Sequence, residues 1–226
     1  ATSATVTFQR LRRLPVTPNQ VFWGGVTSDE LVKHIDFAAR EKLGFDCAWV
    51  DAGWYGRFTT PSPNEFEGAW WMDAGDWRPN PNFHPDGMAD VADAAHRNGM
   101  KFLLWFEIER SLSKSPVATE HPDWSLWPNE KPGPREAGLL DLGNPAAWNW
   151  AYETLAGHIR RLGVDCYRQD FNMQPLGNWR HADAKDGRKG LHEARHVMGL
   201  YRLWDALLAE FPGLVIDNCA SGGRRI

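Results

Sequence analysis

Arg168, Asp170 and Asn172 alternate at the end of an apolar segment that opens with Val164 and Cys166. Alternation along a strand sends all three side chains to one side, so a cation, a carboxylate and an amide converge at one strand end. A packed strand favours Val or Ile there, and a desolvated Asp is costly unless it is paired or used. Asp170 is therefore a candidate nucleophile, although a carboxylate that merely caps the next loop fits the stretch equally well. Asp51, Glu107 with Glu109, and Asp217 likewise follow short apolar runs. Around them, Trp54, Trp70, Trp71, Trp77, Trp105, Trp124, Trp127 and Trp179 fall at strand ends or in loops rich in Gly, Pro and Asp. Flat indole faces beside polar groups suit a sugar ring, apolar on its C–H faces and polar at its rim.

The elements that must position these groups repeat. Thr27-x-x-Glu30 is a capping box that opens a helix with Leu31, Ile35, Ala38 and Ala39 on one face, stopped at Gly44. Strand Cys47–Val50 follows and ends at Asp51-Ala52-Gly53-Trp54. A helix with Met88, Val91, Ala92 and Ala95 inward then feeds strand Phe102–Phe106, which ends at Glu107-Ile108-Glu109. Asn144-Pro145 caps a third helix, with Trp148, Ala151, Leu155, Ile159 and Leu162 on one face, that runs into the strand carrying Asp170. The charged run Arg180 to Lys189 reads as a solvated insertion. The helix from about Leu191 is expected to bury Val197, Met198, Tyr201, Trp204 and Leu208, and strand Leu214–Ile216 closes the pattern. With a lone strand at Val21–Gly25, this makes about five parallel strands joined by helices. A doubly wound nucleotide binder would carry GxGxxG after its first strand, and Gly24-Gly25 is not that. Carboxylates and amides at successive strand ends match a (β/α)8 TIM-type barrel instead, present as an incomplete fragment. Residues 1–19 read as a linker into the barrel and 20–226 as the N-terminal part of the catalytic domain.

Composition narrows the partners. A net charge of −4 without a basic block gives no footprint for nucleic acid or an anionic membrane. No apolar run is long enough to span a bilayer, and the first residues lack the apolar core of a signal peptide. No compartment is fixed, the cytoplasm being favoured, and oligomerisation of the full-length protein is left open. Cys47, Cys166 and Cys219, an odd number placed on strands without ligand spacing, argue against a disulfide framework and a zinc site. His34, His96, His158, His192 and His196 are expected to be surface or structural.

Taken in order, the strand ends resemble the melibiase-type α-galactosidases of glycoside hydrolase family 36. The matching stretches are Asp51-Ala52-Gly53-Trp54, Gly75-Asp76-Trp77, Trp105-Phe106-Glu107-Ile108-Glu109, His121-Pro122-Asp123-Trp124, Arg135 ahead of Leu140-Asp141-Leu142, Arg168-Gln169-Asp170-Phe171-Asn172, and Cys219-Ala220-Ser221-Gly222-Gly223-Arg224. The resemblance implies a retaining hydrolase that removes terminal α-linked galactosyl or related residues by double displacement. Asp170 would form the glycosyl-enzyme, with a second carboxyl group ~5–5.5 Å away as acid and then base. Asp51 and Arg168 would hold ring hydroxyls. Trp54, Trp77, Trp105, Arg135 and Asn172 would line the sugar subsite, and Cys219 and Gly222 would approach the hydroxyl beside the anomeric carbon. A cation next to Asp170 would keep it ionised. No metal or organic cofactor is implied, and Glu107 and Glu109 would shape the pocket floor.

Departures from the family pattern carry their own expectations. Ala52 stands where the family has a second Asp, which removes a hydroxyl acceptor and weakens selection between epimeric sugars. Ile108 replaces Pro, and Arg168 replaces Lys with a wider, bidentate group. The family's acid/base Asp lies beyond Cys219-Ala220-Ser221-Gly222-Gly223-Arg224, so no residue up to Ile226 takes that role and the 226-residue chain alone is expected to be inactive. Two other functions fit the pattern. An enolase-type, metal-dependent barrel would also place Asp51, Glu107, Asp170 and Asp217 at strand ends, but would want a Lys or His base there. A sugar-binding barrel would keep the Trp-rich cleft without turnover.

Overall fold

The structure, a computed structural model, describes residues 27–57 and 70–221. The expected strand at 21–25, Gly222 and the residues after it lie outside this range. Helix α1 (Ser28–Arg40) starts at the foreseen box: the Thr27 hydroxyl accepts from the Glu30 N–H while the Glu30 carboxylate accepts from the Thr27 N–H. Leu31, Ile35 and Ala38 are its buried stripe. Strand β1 (Cys47–Val50), helix α2 (Ala89–Arg97) and strand β2 (Lys101–Phe106) follow. After β2 come β3 (Arg110–Leu112), α3 (Pro116–Glu120), β4 (Ser125–Leu126) and β5 (Ala137–Leu140). Helix α4 (Pro145–Leu162), β6 (Cys166–Gln169), α5 (Leu176–Asp186), α6 (Leu191–Glu210) and β7 (Val215–Asn218) complete the described chain.

The principal sheet runs β1-β2-β6-β7, all parallel, each strand beside the next principal strand in chain order. Its two faces differ. Ala48, Val50, Phe102, Leu104, Phe106 and Tyr167 point into the large apolar core shared with α1, α2, α4 and α6. The alternate positions, Cys47, Leu103 and Cys166 with Trp49 against them, form a small separate cluster on the other face. Helices confined to one face and a small inner cluster on the other are the geometry of an arc of a (β/α)8 barrel. Four of the expected parallel strands are thus in place among the described residues. Cys47 and Cys166 lie in the sheet, Cys219 falls just beyond β7, and none of the three is in a disulfide.

Three features depart from the sequence reading. A second, antiparallel sheet β3-β5-β4 is built within the loop after β2, from strands too short to show a period. The run from Arg180 to Lys189, expected to be a solvated insertion, is largely exposed, but its first part belongs to helix α5, which buries Ala182 and Asp183. Its Asn178 amide donates to the carbonyls of Leu126 (2.7 Å) and Ala137 (3.1 Å), and Asp183 accepts from the His192 N–H at 3.0 Å. Helix α6 turns a different stripe inward: His192, His196, Gly199, Leu200, Leu203 and Leu207 are buried. Met198, Tyr201 and Leu208, expected inside, are exposed by 72%, 56% and 42%. Gly199 allows α6 to approach closely, because a Cβ there would sit 2.2 Å from the Leu142 carbonyl oxygen.

Candidate active site

Three of the four parallel strands, β1, β2 and β6, end in one cleft of about 390 Å³, toward the lower end of the ~300–1,000 Å³ usual for small-molecule sites. Five expected residues line it: Asp51, Trp105, Arg168, Asp170 and Asn172. The wall is completed by Ala52, Trp70, Trp71 and Arg110. Strand alternation accounts for the convergence. Trp105 on β2, Arg168 on β6 and Asp217 on β7 stand in register, all directed to the inner face.

Asp170 sits one residue past β6, and its own N–H continues the ladder to the Phe106 carbonyl at 2.8 Å. Its carboxylate is well supplied with donors. The Phe171 N–H reaches Oδ1 at 2.8 Å, while Asn172 Nδ2 (2.8 Å) and Trp105 Nε1 (3.3 Å) reach Oδ2. Burial pushes the carboxyl pKa up, but donation from Asn172, Phe171, Cys219 and Trp105 outweighs it, and the group is held below the ordinary Asp range. The ionised form is therefore favoured by neutral donors. The adjacent cation expected to do this is engaged elsewhere: Arg168 Nη1 donates to Asp217 Oδ2, and its guanidinium stacks over Trp49, 4.6 Å from the ring centroid. Asp217 is the counter-ion of Arg168, which lines the cleft.

The two glutamates after β2 part company. Glu107 is fully buried; it accepts from Arg110 Nη1 at 3.2 Å and from the Asn172 N–H. Burial raises its pKa, with Arg110 and the Asn172 N–H acting against that rise. Glu109 lies behind the sheet, where Gln169 Nε2 donates to Oε2 at 2.5 Å and His196 Nε2 lies 2.8 Å from Oε1. His196 is thus structural and buried, not a surface group. Among the described residues no group of three or more His, Cys, Asp and Glu could hold a metal ion.

Not every expected subsite residue reaches the cleft. Gly53, at φ 98°, turns the chain so that Trp54 folds back into the core. Trp54 is 1% exposed and donates to the Trp105 carbonyl at 2.9 Å, which makes it a support for Trp105. Trp77 is buried as well. It borders a different cavity of about 510 Å³, with Arg78, His158 and Arg161, that shares no residue with the Asp170 cleft. Arg135 lies at the rim, its guanidinium 5.9 Å from the Trp71 ring centroid. Cys219 donates to Asp170 and so belongs to the site. Arg110 is the cleft residue that strand reasoning missed; it follows Glu109 directly, and a positive charge beside two buried carboxylates was the available signal.

This arrangement sits within a recognisable sequence family. The melibiase family model matches residues 17–226. Alpha-galactosidase Mel36A of Lactobacillus acidophilus is 29% identical over 199 residues, covering 87% of this chain and 26% of the relative. Among solved structures, the alpha-galactosidase from Lactobacillus brevis superposes with a TM-score of 0.71 at 24% identity over 93% of this chain and 27% of its own. TtGalA, the alpha-galactosidase from Thermus thermophilus in complex with stachyose, gives 0.61 at 25% identity over 86% of this chain and 37% of its own. The chain thus spans about a quarter of the length of the curated relatives it matches. By the extent of that match, this chain belongs to the melibiase family.

Proposed function

We propose that this chain is the nucleophile-bearing part of a retaining glycoside hydrolase that releases terminal α-linked galactosyl or related residues from oligosaccharides. The observation that carries the reading is Asp170 itself, a half-buried carboxylate kept ionised by neutral donors in a cleft walled by indoles. In the first step an Asp170 oxygen bonds to the anomeric carbon while the glycosidic C–O bond breaks, the leaving oxygen taking a proton from a second carboxyl group. In the second, water attacks the same carbon, returns a proton to that group, and the bond to Asp170 breaks. Arg168 and Asp51 hold ring hydroxyls, Trp105 and Trp70 face the sugar, and Cys219 stands next to the reacting centre. Ala52 offers a methyl group in the cleft wall, so discrimination between galactose and its epimers rests on fewer polar contacts. The stachyose bound by the Thermus relative supports an α-galactoside as substrate.

The test is covalent trapping of the full-length protein with a fluorinated α-galactosyl donor, followed by digestion and mass spectrometry. Label is expected on the peptide containing Asp170, and Asp170→Gly is expected to lower kcat on the order of 10⁴-fold. Label on another carboxylate, or a variant that retains turnover, overturns the assignment. Retained sugar binding with no label in the wild type would point to the sugar-binding barrel.

A further inference from the structure

Behind Asp170 lies a carboxylate that double displacement does not itself require. Glu107 is fully buried at the end of β2, the neighbour of the strand that carries Asp170. A carboxyl group in that position is expensive to desolvate, and an aliphatic side chain would fill the space at less cost. Its contacts give it a task. One oxygen accepts from Arg110 at 3.2 Å, and the other accepts the main-chain N–H of Asn172. Asn172 in turn directs Nδ2 to Asp170 Oδ2 at 2.8 Å, while its own Oδ1 accepts from Ser221 Oγ at 2.9 Å. The chain of contacts therefore runs from Arg110 through Glu107 to the Asn172 backbone, and from the Asn172 amide to Asp170 Oδ2.

We propose that Glu107 is a positioning residue: by anchoring the backbone of Asn172, it fixes the direction from which the Asn172 amide holds Asp170, and Arg110 steadies Glu107. This rests on Asp170 being the attacking group. It separates the two glutamates by task, since Glu109 serves Gln169 and His196 behind the sheet.

The experiment is steady-state kinetics of the full-length protein on an aryl α-galactoside, with Asp170→Gly as the control. If Asp170→Gly keeps wild-type turnover, the function assigned above is wrong and this proposal falls with it. With that control inactive, Glu107→Gln, which keeps shape, is expected to lower kcat about 10–100-fold while KM stays within about threefold. In an Asn172→Ala background the same substitution is expected to cost less than about twofold, because the arm that Glu107 aims is already gone. Asn172→Ala alone is expected to lower kcat and to move the acid limb of kcat/KM upward, since Asp170 loses a donor that favours its ionised form. A merely structural Glu107 gives losses that add in the double variant. Full additivity, or wild-type kcat in Glu107→Gln, overturns the proposal. Should Glu107→Gln fail to fold, Asn172→Ala decides alone: wild-type kcat with an unmoved acid limb refutes it.

Discussion

His84 ties the stability of the domain to pH in a way that can be worked from its contacts. The ring is 1% exposed, with Nδ1 3.0 Å from Ser28 Oγ. That hydroxyl donates to Asp90 Oδ1 at 3.1 Å, so Nδ1 carries the proton toward Ser28 and Nε2 is left as the bare nitrogen. Nε2 is buried with no partner among the described residues. Adding a proton there creates a charge with nothing to receive it, and burial accordingly pushes the pKa from 6.5 down to about 4, with Asp90 pulling weakly the other way. The unfolded chain takes up this proton near its ordinary value and the folded chain only near the lowered one. The stabilisation is complete above about pH 6.5 and is lost as pH falls to about 4. A gap of about 2.5 units corresponds to about 3 kcal/mol, a large share of the ~5–15 kcal/mol that holds a domain together. Urea unfolding followed by the fluorescence of the 13 Trp, repeated across this range, reads the effect. The comparison is with His84→Asn, whose amide nitrogen replaces Nδ1 and cannot titrate. Wild type is expected to lose about 3 kcal/mol more than the variant between about pH 7 and pH 4. His158, also lowered to about 4 by burial, contributes equally to both proteins and cancels. Parallel pH profiles for the two proteins would refute the reasoning.

Other substitutions test packing and charge. Gly199→Ala should destabilise by about 1–3 kcal/mol, because its new methyl meets the Leu142 carbonyl at 2.2 Å; a raised thermal midpoint, as helix propensity alone would give, contradicts this packing. Trp54→Phe removes the donor to the buried Trp105 carbonyl and should cost about 1–3 kcal/mol with little change in KM. A raised KM at unchanged stability would return Trp54 to the sugar. Asp165 accepts from Lys101 at 2.6 Å, Phe102 N–H at 2.9 Å and His96 at 3.0 Å. Despite burial these partners hold its pKa below the ordinary Asp value, so its contribution is present above about pH 4 and lost as pH falls further. Asp165→Asn should therefore lower stability at neutral pH by about 1–2 kcal/mol and flatten the acid loss below about pH 4.

The fold was legible wherever a period and a stop signal coincided. The capping box at Thr27, the Asn144-Pro145 start and the glycine after Leu162 each mark a helix end in the structure. The same alternation that pointed to Asp170 placed Arg168, Asp170 and Asn172 in one cleft. What failed was side-chain bookkeeping by hydrophobicity. In α6 the buried stripe includes His192, His196 and Gly199; two polar rings and a side chain of no bulk score poorly inside, although hydrogen bonding and close approach put them there. In α5 the buried positions are Asn178, Ala182 and Asp183, so the inward face was written in amides and carboxylates. Trp54 and Trp77 were assigned to sugar because indoles fit both a core and a ring; local backbone geometry, such as the turn at Gly53, separates the two outcomes. The partner of Arg168 could not be read locally, since Asp217 lies 49 residues on and meets it only through strand pairing.

The bonds that close the cleft join residues 65 apart for Trp105 to Asp170, 65 for Asn172 to Glu107, and 49 for Arg168 to Asp217. A ribosome that has released β1 and β2 has exposed indoles and a buried-type glutamate with nothing yet to receive them. Contacts of such separation form late and slowly, so Asp170 gains its Trp105 donor, and Arg168 its Asp217 counter-ion, only as the neighbouring strands dock, and translation pauses before residue 168 should favour chaperone capture over premature closure.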